Sequence, residues 1–174
     1  QHVSSRRQRQ MCIRDRLIEW LPKNIPSDQE TSIVHGDFRL DNMIFDPITH
    51  EVKAILDWEL STLGNPIADF TYHMMSWRLP AGAKGLGMMG SDLKSLNIPS
   101  ESEYAELYYK KTGREKIDNW DFYMAYNIFR LAGIAQGIVG RVRDGTASSS
   151  EAKNYEAFVP ILGKLGWSIV EGIK

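Results

Sequence analysis

The stretch from Asp118 to Arg143 constrains the fold most. Trp120, Met124, Ile128, Leu131, Ala135, Ile138 and Val142 step along it by fours and threes, the spacing of one helix face. Phe122, Phe129 and Ile134 lie off that stripe, so the helix is expected to be central and buried on several sides. Other elements must then surround it. Arg141 and Arg143 fall where the helix dipole favours cations, and Asp144-Gly145 supplies a stop.

More helices are signalled at their ends. Asn65-Pro66 is an N-cap with proline at the first helical position, followed by Ile67, Phe70, Met74 and Trp77 at helical spacing until Pro80. Ser100 with Glu103 reads as a capping box for a helix closing at Thr112-Gly113. A last helical region runs from about Ser150 to the C-terminus, broken or kinked at Pro160. Residues 17–21 read as the tail of a short helix. Between them, Thr31–Trp58 is different. Ile33-Val34 and Met43-Ile44-Phe45 are short apolar strands flanking a polar turn, Asp46-Pro47 begins another turn, and Val52 to Trp58 alternates as a third strand. Three strands in front of about four helices make an α+β fold, mostly α. Residues 81–97, rich in Gly and Met, are expected to be a loop.

Composition narrows the function classes. The chain has 174 residues, 43% hydrophobic and 25% charged, which fits a globular domain and excludes a collagen-like or low-complexity one. No apolar run approaches the ~18 residues a membrane span needs, and no signal-peptide core follows the N-terminus. The single cysteine, Cys12, makes no internal disulfide. The net charge of −1 hides an asymmetry: residues 1–16 hold Arg6, Arg7, Arg9, Arg14 and Arg16 against Asp15 alone. That head reads as a disordered or non-native leader, with a nucleic-acid arm or transit-peptide remnant as alternatives. The remainder is mildly acidic, which argues against a nucleic-acid partner, and without a spanning apolar run no membrane partner is expected either. The location expected is cytoplasmic, with an organellar one left open.

Residues with catalytic potential concentrate in one stretch: His35, Asp37, Arg39, Asp41 and Asn42, then Asp57 and Glu59. Carboxylates and amides from adjacent strand ends that converge on one point suit a hard cation such as Mg²⁺. Asp and Asn also favour turns for their own sake, and ordinary turn chemistry is the alternative.

The string His35-Gly36-Asp37-Phe38-Arg39-Leu40-Asp41-Asn42 has the form H-x-D-x-x-x-x-N and resembles the protein-kinase catalytic loop. Ile55-Leu56-Asp57-Trp58-Glu59 then stands where kinases carry a metal-binding Asp. The Gly36 variant with Asp-Trp-Glu resembles the aminoglycoside phosphotransferase family. The strings HGDFRLDNMIFD, ILDWELSTLGNPIADF and FRLAGIAQGI are most similar to the phosphotransferase-like domains associated with acyl-CoA dehydrogenases. Over residues 17–174 the resemblance implies the C-terminal lobe of a protein-kinase-like fold, its short strands around the catalytic loop and a helical subdomain after them. It implies an O-phosphotransferase using ATP and Mg²⁺ on a small-molecule hydroxyl, with a hydroxyacyl-type acceptor suggested. Asp37 would be the general base; Asn42 and Asp57 would hold Mg²⁺. In support, His35 would brace the loop, Arg39 would meet a phosphate or pair with a carboxylate, Glu59 would stabilise the loop or add to the metal site, and Asp69 would bond backbone near the catalytic residues.

A complete kinase-like enzyme also has an N-terminal lobe with a phosphate-covering loop and a strand lysine. The residues before Ile33 are too few for five strands of ~5–6 residues each with their loops. They contain no glycine, and Lys23 is their only lysine. The chain therefore reads as a fragment or truncated homologue whose nucleotide-binding lobe is missing, weakly active or inactive alone. A non-catalytic ligand- or partner-binding remnant is the alternative function, and a metal-dependent phosphohydrolase using Asp37, Asp57 and Glu59 the third. The Gly85–Gly90 match to G-x-G-x-x-G lacks a preceding strand and fails as a dinucleotide loop; a substrate-side loop presenting Met88 and Met89 fits better. Trp120, Tyr123 and Tyr126 are expected in the core rather than in a substrate pocket.

Overall fold

A computed structural model describes residues 15–27, 30–82, 87–147, 152 and 154–173. The expected leader lies outside them except for Asp15 and Arg16, as does Gly85 of the glycine-rich string. In chain order the elements are α1 (15–20), a 3-10 turn Leu21–Lys23, β1 (Ser32–Val34), a 3-10 turn Leu40–Asn42, β2 (Met43–Phe45) and β3 (Val52–Ile55). After these come a 3-10 turn Trp58–Leu60, β4 (Thr62–Gly64), α2 (Pro66–Arg78), α3 (Glu101–Thr112), α4 (Trp120–Arg143) and α5 (Tyr155–Gly172). The architecture is α+β and mostly helical.

The described residues form two compact units, one lying within 28–120 and one made of those before 28 together with those from 121 on. The first contains all four strands among the described residues, one more than the alternation announces. The extra one is β4, a three-residue strand too short to show a period. It pairs antiparallel with β1, Ile33 opposite Leu63, while β2 pairs with β3 across the Asp46 turn. Two two-stranded sheets result. The third strand also ends earlier than expected, at Ile55, because Asp57 enters the left-handed region at φ 66 and turns the chain.

Helix ends in this unit follow their caps. The Asn65 side chain accepts from the Ile67 N–H at 2.8 Å, with Pro66 at the first position. Ser100 and Glu103 complete a reciprocal capping box, which pulls the Glu103 carboxyl below its ordinary value through hydrogen bonds to the Ser100 side chain and backbone. Gly113 closes α3 at φ 69. Helices α2 and α3 meet through stacked rings, Phe70 on Tyr108 at 3.8 Å and Trp77 on Tyr104 at 5.1 Å. Arg78 grips both Glu101 oxygens, and the Trp120 indole N–H donates to the same carboxylate at 2.7 Å.

In the other unit α4 runs Trp120–Arg143, starting two residues later than expected. Met124, Ile128, Leu131 and Ala135 of its expected stripe are buried. Val139 is buried beside them, whereas Ile134 is 45% exposed, so the helix keeps a wet side there. Tyr123 is buried and Tyr126 exposed. Helix α5 continues through Pro160. A Cβ on Gly166 of α5 would lie 3.1 Å from Leu17 Cδ1 and 3.4 Å from Ile128 Cγ2, so a side chain at this glycine would crowd both neighbours. No helix among the described residues is long and apolar enough to cross a membrane.

Candidate active site

The site lies within the 28–120 unit, on the turn after β1 and the turn after β3. Strand β1 ends at Val34, and His35 follows, 2% exposed. Its backbone N–H donates to Asp69 Oδ2 at 2.7 Å and that of Gly36 to Asp69 Oδ1 at 2.9 Å. Asp69 sits in the first turn of α2, so one carboxylate occupies two consecutive backbone donors. Gly36 adopts φ +83, and a Cβ there would meet the Leu60 carbonyl oxygen at 2.5 Å. Only glycine fits that position.

The next donor is also taken. The Asp37 N–H points at His35 Nδ1 at 3.2 Å. A backbone N–H can only donate, so Nδ1 accepts, and the ring proton sits on Nε2, which donates to the Leu56 carbonyl at 2.7 Å. His35 thus braces two turns at once, and the Trp58 ring lies 4.7 Å from its own. Asn42 Nδ2 donates to the Asp37 carbonyl at 2.9 Å and to Asp37 Oδ2 at 3.2 Å. The Asn42 carbonyl accepts the Leu56 N–H at 2.8 Å. Leu56 is therefore held on both sides, by His35 and by Asn42, immediately before Asp57.

The expected site residues thus divide. Asp37 and Asn42 are directly bonded, and Asp57 is tied to them through Leu56. Arg39 pairs with Asp41, the carboxylate alternative of the two expected. Partial burial alone would lower the Arg39 pKa, but the Asp41 and Asp37 carboxylates outweigh it and hold the guanidinium above its ordinary value. Its Nε is buried without a hydrogen-bond partner. Glu59 is exposed on the Trp58–Leu60 turn, and none of the hydrogen bonds among the described residues joins it to Asp37 or Asn42.

Three participants were not singled out from the sequence. Leu56 acts through its backbone, which no residue type announces. Trp58 was legible only as the neighbour of Asp57. Phe38 rests its ring at 6.1 Å from His35 and 5.7 Å from His73 on α2. His73 is buried, which pushes its pKa below the ordinary value.

The donor set fits a hard cation held together with phosphates. Asn42 spends its nitrogen on Asp37, which leaves Oδ1 as the ligand atom, and Asp57 adds an exposed carboxylate at a turn. Among the described residues no three His, Cys, Asp or Glu side chains form a complete protein cage for a metal ion. Two oxygen ligands beside phosphate and water is the pattern usual for Mg²⁺.

The sequence profile of the phosphotransferase enzyme family matches residues 1–107. The chain belongs to this family. It is 46% identical over 154 residues to acyl-CoA dehydrogenase family member 10 of Mus musculus, a match covering 88% of this chain and 14% of that protein. It is 39% identical over 152 residues to acyl-CoA dehydrogenase family member 11 of Homo sapiens, covering 86% of this chain and 19% of that protein. A solved structure described as that of a candidate aminoglycoside phosphotransferase, from Ralstonia eutropha, superposes with a TM-score of 0.87 at 47% identity. That match covers 93% of this chain and 50% of the solved one. The kinase-like fold expected from the catalytic-loop motif is thus shared with a solved phosphotransferase-family member. The chain spans half of that structure and less than a fifth of the two dehydrogenase-family relatives.

Proposed function

We propose that this lobe belongs to an ATP- and Mg²⁺-dependent O-phosphotransferase acting on a small-molecule hydroxyl. The observation that carries this reading is the Asp37–Asn42 pair, joined through the doubly held Leu56 to Asp57. Asp37 would accept the proton of the acceptor hydroxyl. Its carboxylate is aimed by Asn42 and its backbone by His35, so little reorganisation is left for the reaction itself. Asn42 and Asp57 would hold Mg²⁺, which when bound neutralises charge on the nucleotide phosphates. The names of the dehydrogenase-family relatives support a hydroxyacyl-type acceptor.

Calorimetric titration of the chain with Mg²⁺–ATP, beside Asp57→Ala, tests the reading. The expected result is binding by the parent chain that weakens at least tenfold in the variant, about 1.4 kcal/mol. Equal binding by both proteins would remove Asp57 from the metal site and overturn the assignment.

A second reading is a lobe that binds a partner and transfers nothing. It is supported by an exposed apolar surface on the same unit: the cross-strand pair Ile33 and Leu63 is 74% and 71% exposed, and Leu40, Trp58 and Leu60 are exposed as well. No heat from either protein would favour it. The phosphohydrolase reading needs Asp37, Asp57 and Glu59 around one metal, and the described residues hold no such group.

A further inference from the structure

We propose that His73 is a positioning residue that couples solution pH to the pose of the Asp37 turn through the Phe38 ring. Phe38 directly follows Asp37 and stands edge-on between two imidazoles, His35 at 6.1 Å and His73 at 5.7 Å. His35 is committed through both of its nitrogens. His73 is different. Its ring lies among the rings of Phe38, Trp77 at 6.1 Å and Tyr104 at 5.7 Å, and none of its hydrogen bonds among the described residues uses a ring nitrogen. It is 8% exposed. A neutral imidazole fills such a pocket as an aromatic plug. An imidazolium is better satisfied by water or an anion than by neighbouring rings, and burial therefore disfavours it here.

The charged and titratable groups around it sharpen the point. On its own helix, Asp69 lies one turn earlier on the same face, with its carboxylate spent on the His35 and Gly36 N–H groups. On the Asp37 turn, Asp37 and Arg39 flank Phe38, and His35 lies across it. From α3 come the Tyr104 and Tyr108 hydroxyls, both raised by burial and neutral in the range concerned. The only anion on the same helix face is therefore the clamp that holds the start of the Asp37 turn. Whether a protonated His73 swings toward water or draws on Asp69, it withdraws support from that turn. Burial already holds its pKa below 6.5, so the turn keeps its pose at neutral pH and loosens on acidification.

The test is an NMR pH titration of the full 174-residue chain, following the His73 ring and the amides of Asp37–Asn42, in parent, His73→Phe and Phe38→Leu proteins. In the parent, the amides are expected to shift with the His73 midpoint, below 6.5. In His73→Phe, which keeps an aromatic plug, that shift disappears while far-UV circular dichroism is unchanged. In Phe38→Leu, His73 still titrates but the amides no longer follow. Amide shifts that persist at the same midpoint in His73→Phe, or a His73 that titrates in the parent with no response from the turn, would overturn the proposal. Should His73→Phe not fold, the Phe38→Leu arm decides alone. The readout needs neither nucleotide nor acceptor. A failure here is thus distinct from a failure of the phosphotransferase reading, which the Asp57→Ala calorimetry decides.

Discussion

The two turns that make the site are held in opposite ways. On the Asp37 turn the backbone donors of residues 35, 36 and 37 all end on side chains, those of Asp69, Asp69 and His35, and Asn42 closes the turn from its far end. On the Asp57 turn the decisive feature is conformational: a non-glycine residue at φ 66, followed by an exposed 3-10 turn whose Trp58 leans on His35 and donates to the Ile55 carbonyl. The first turn is over-determined by tertiary bonds. The second is anchored by tertiary bonds only at Leu56, and from Asp57 on it is set by a local backbone state that costs energy and leaves its carboxylate open. On the proposed reading Asp37 would be a base that must be aimed and Asp57 a metal-holding carboxylate that must stay available to a bulky polyanion, and the two kinds of support would suit those roles.

The largest test of this contrast is Asp69→Ala. It strips the acceptor from two partly buried N–H groups and is expected to cost about 2–4 kcal/mol in urea unfolding, with Asp69→Asn, which keeps one acceptor, losing roughly half as much. If Asp57→Ala costs as much as Asp69→Ala, the contrast fails. Gly36→Ala comes next. Its new Cβ meets the Leu60 carbonyl where the two turns touch, and the φ of +83 adds strain, so a loss of about 1–3 kcal/mol is expected. Asp57→Gly should have the opposite sign: it relieves the left-handed residue and is expected to stabilise by up to about 1 kcal/mol while nucleotide binding weakens. A destabilised Asp57→Gly would show that the turn is held by side-chain bonds after all.

The smallest effect concerns the β2–β3 hairpin that joins the two turns. The Thr49 and Ile48 N–H groups hold the Asp46 carboxyl below its ordinary value of 3.8. A carboxyl with a lowered folded pKa binds fewer protons than in the unfolded chain. Its stabilisation is therefore full above 3.8 and is lost as pH falls through the folded value. Melting temperature against pH should show a shallower acid slope in Asp46→Ala than in the parent.

Legibility followed sequence distance. The caps at Asn65, Ser100 and Gly113 and the boundaries of α2 and α3 were readable, because each rests on contacts within four residues. Strand β4 was not, since its partner β1 lies thirty residues earlier and three residues carry no period. Asp37, Asn42 and Asp57 stood out by motif, and the geometry joins them. The Leu56 backbone that links Asp57 to the others, and the nearby Trp58 and Phe38–His73 ring contacts, carry no such signal. Ile134 was misplaced because an apolar residue off the stripe says nothing about which side of a helix is covered.

The sequence alone determined the helical segments, the mostly helical class and the motif residues on which the family resemblance rests. These depend on residue type, local spacing and chain-adjacent bonds. Only the tertiary structure decided which strands pair, which tautomer His35 adopts, that Asp69 clamps a turn 34 residues away, and that a buried histidine backs the ring beside Asp37. Those outcomes require distant segments to meet, and which segments meet is set by burial and hydrogen-bond satisfaction over the whole unit rather than by any short stretch of it.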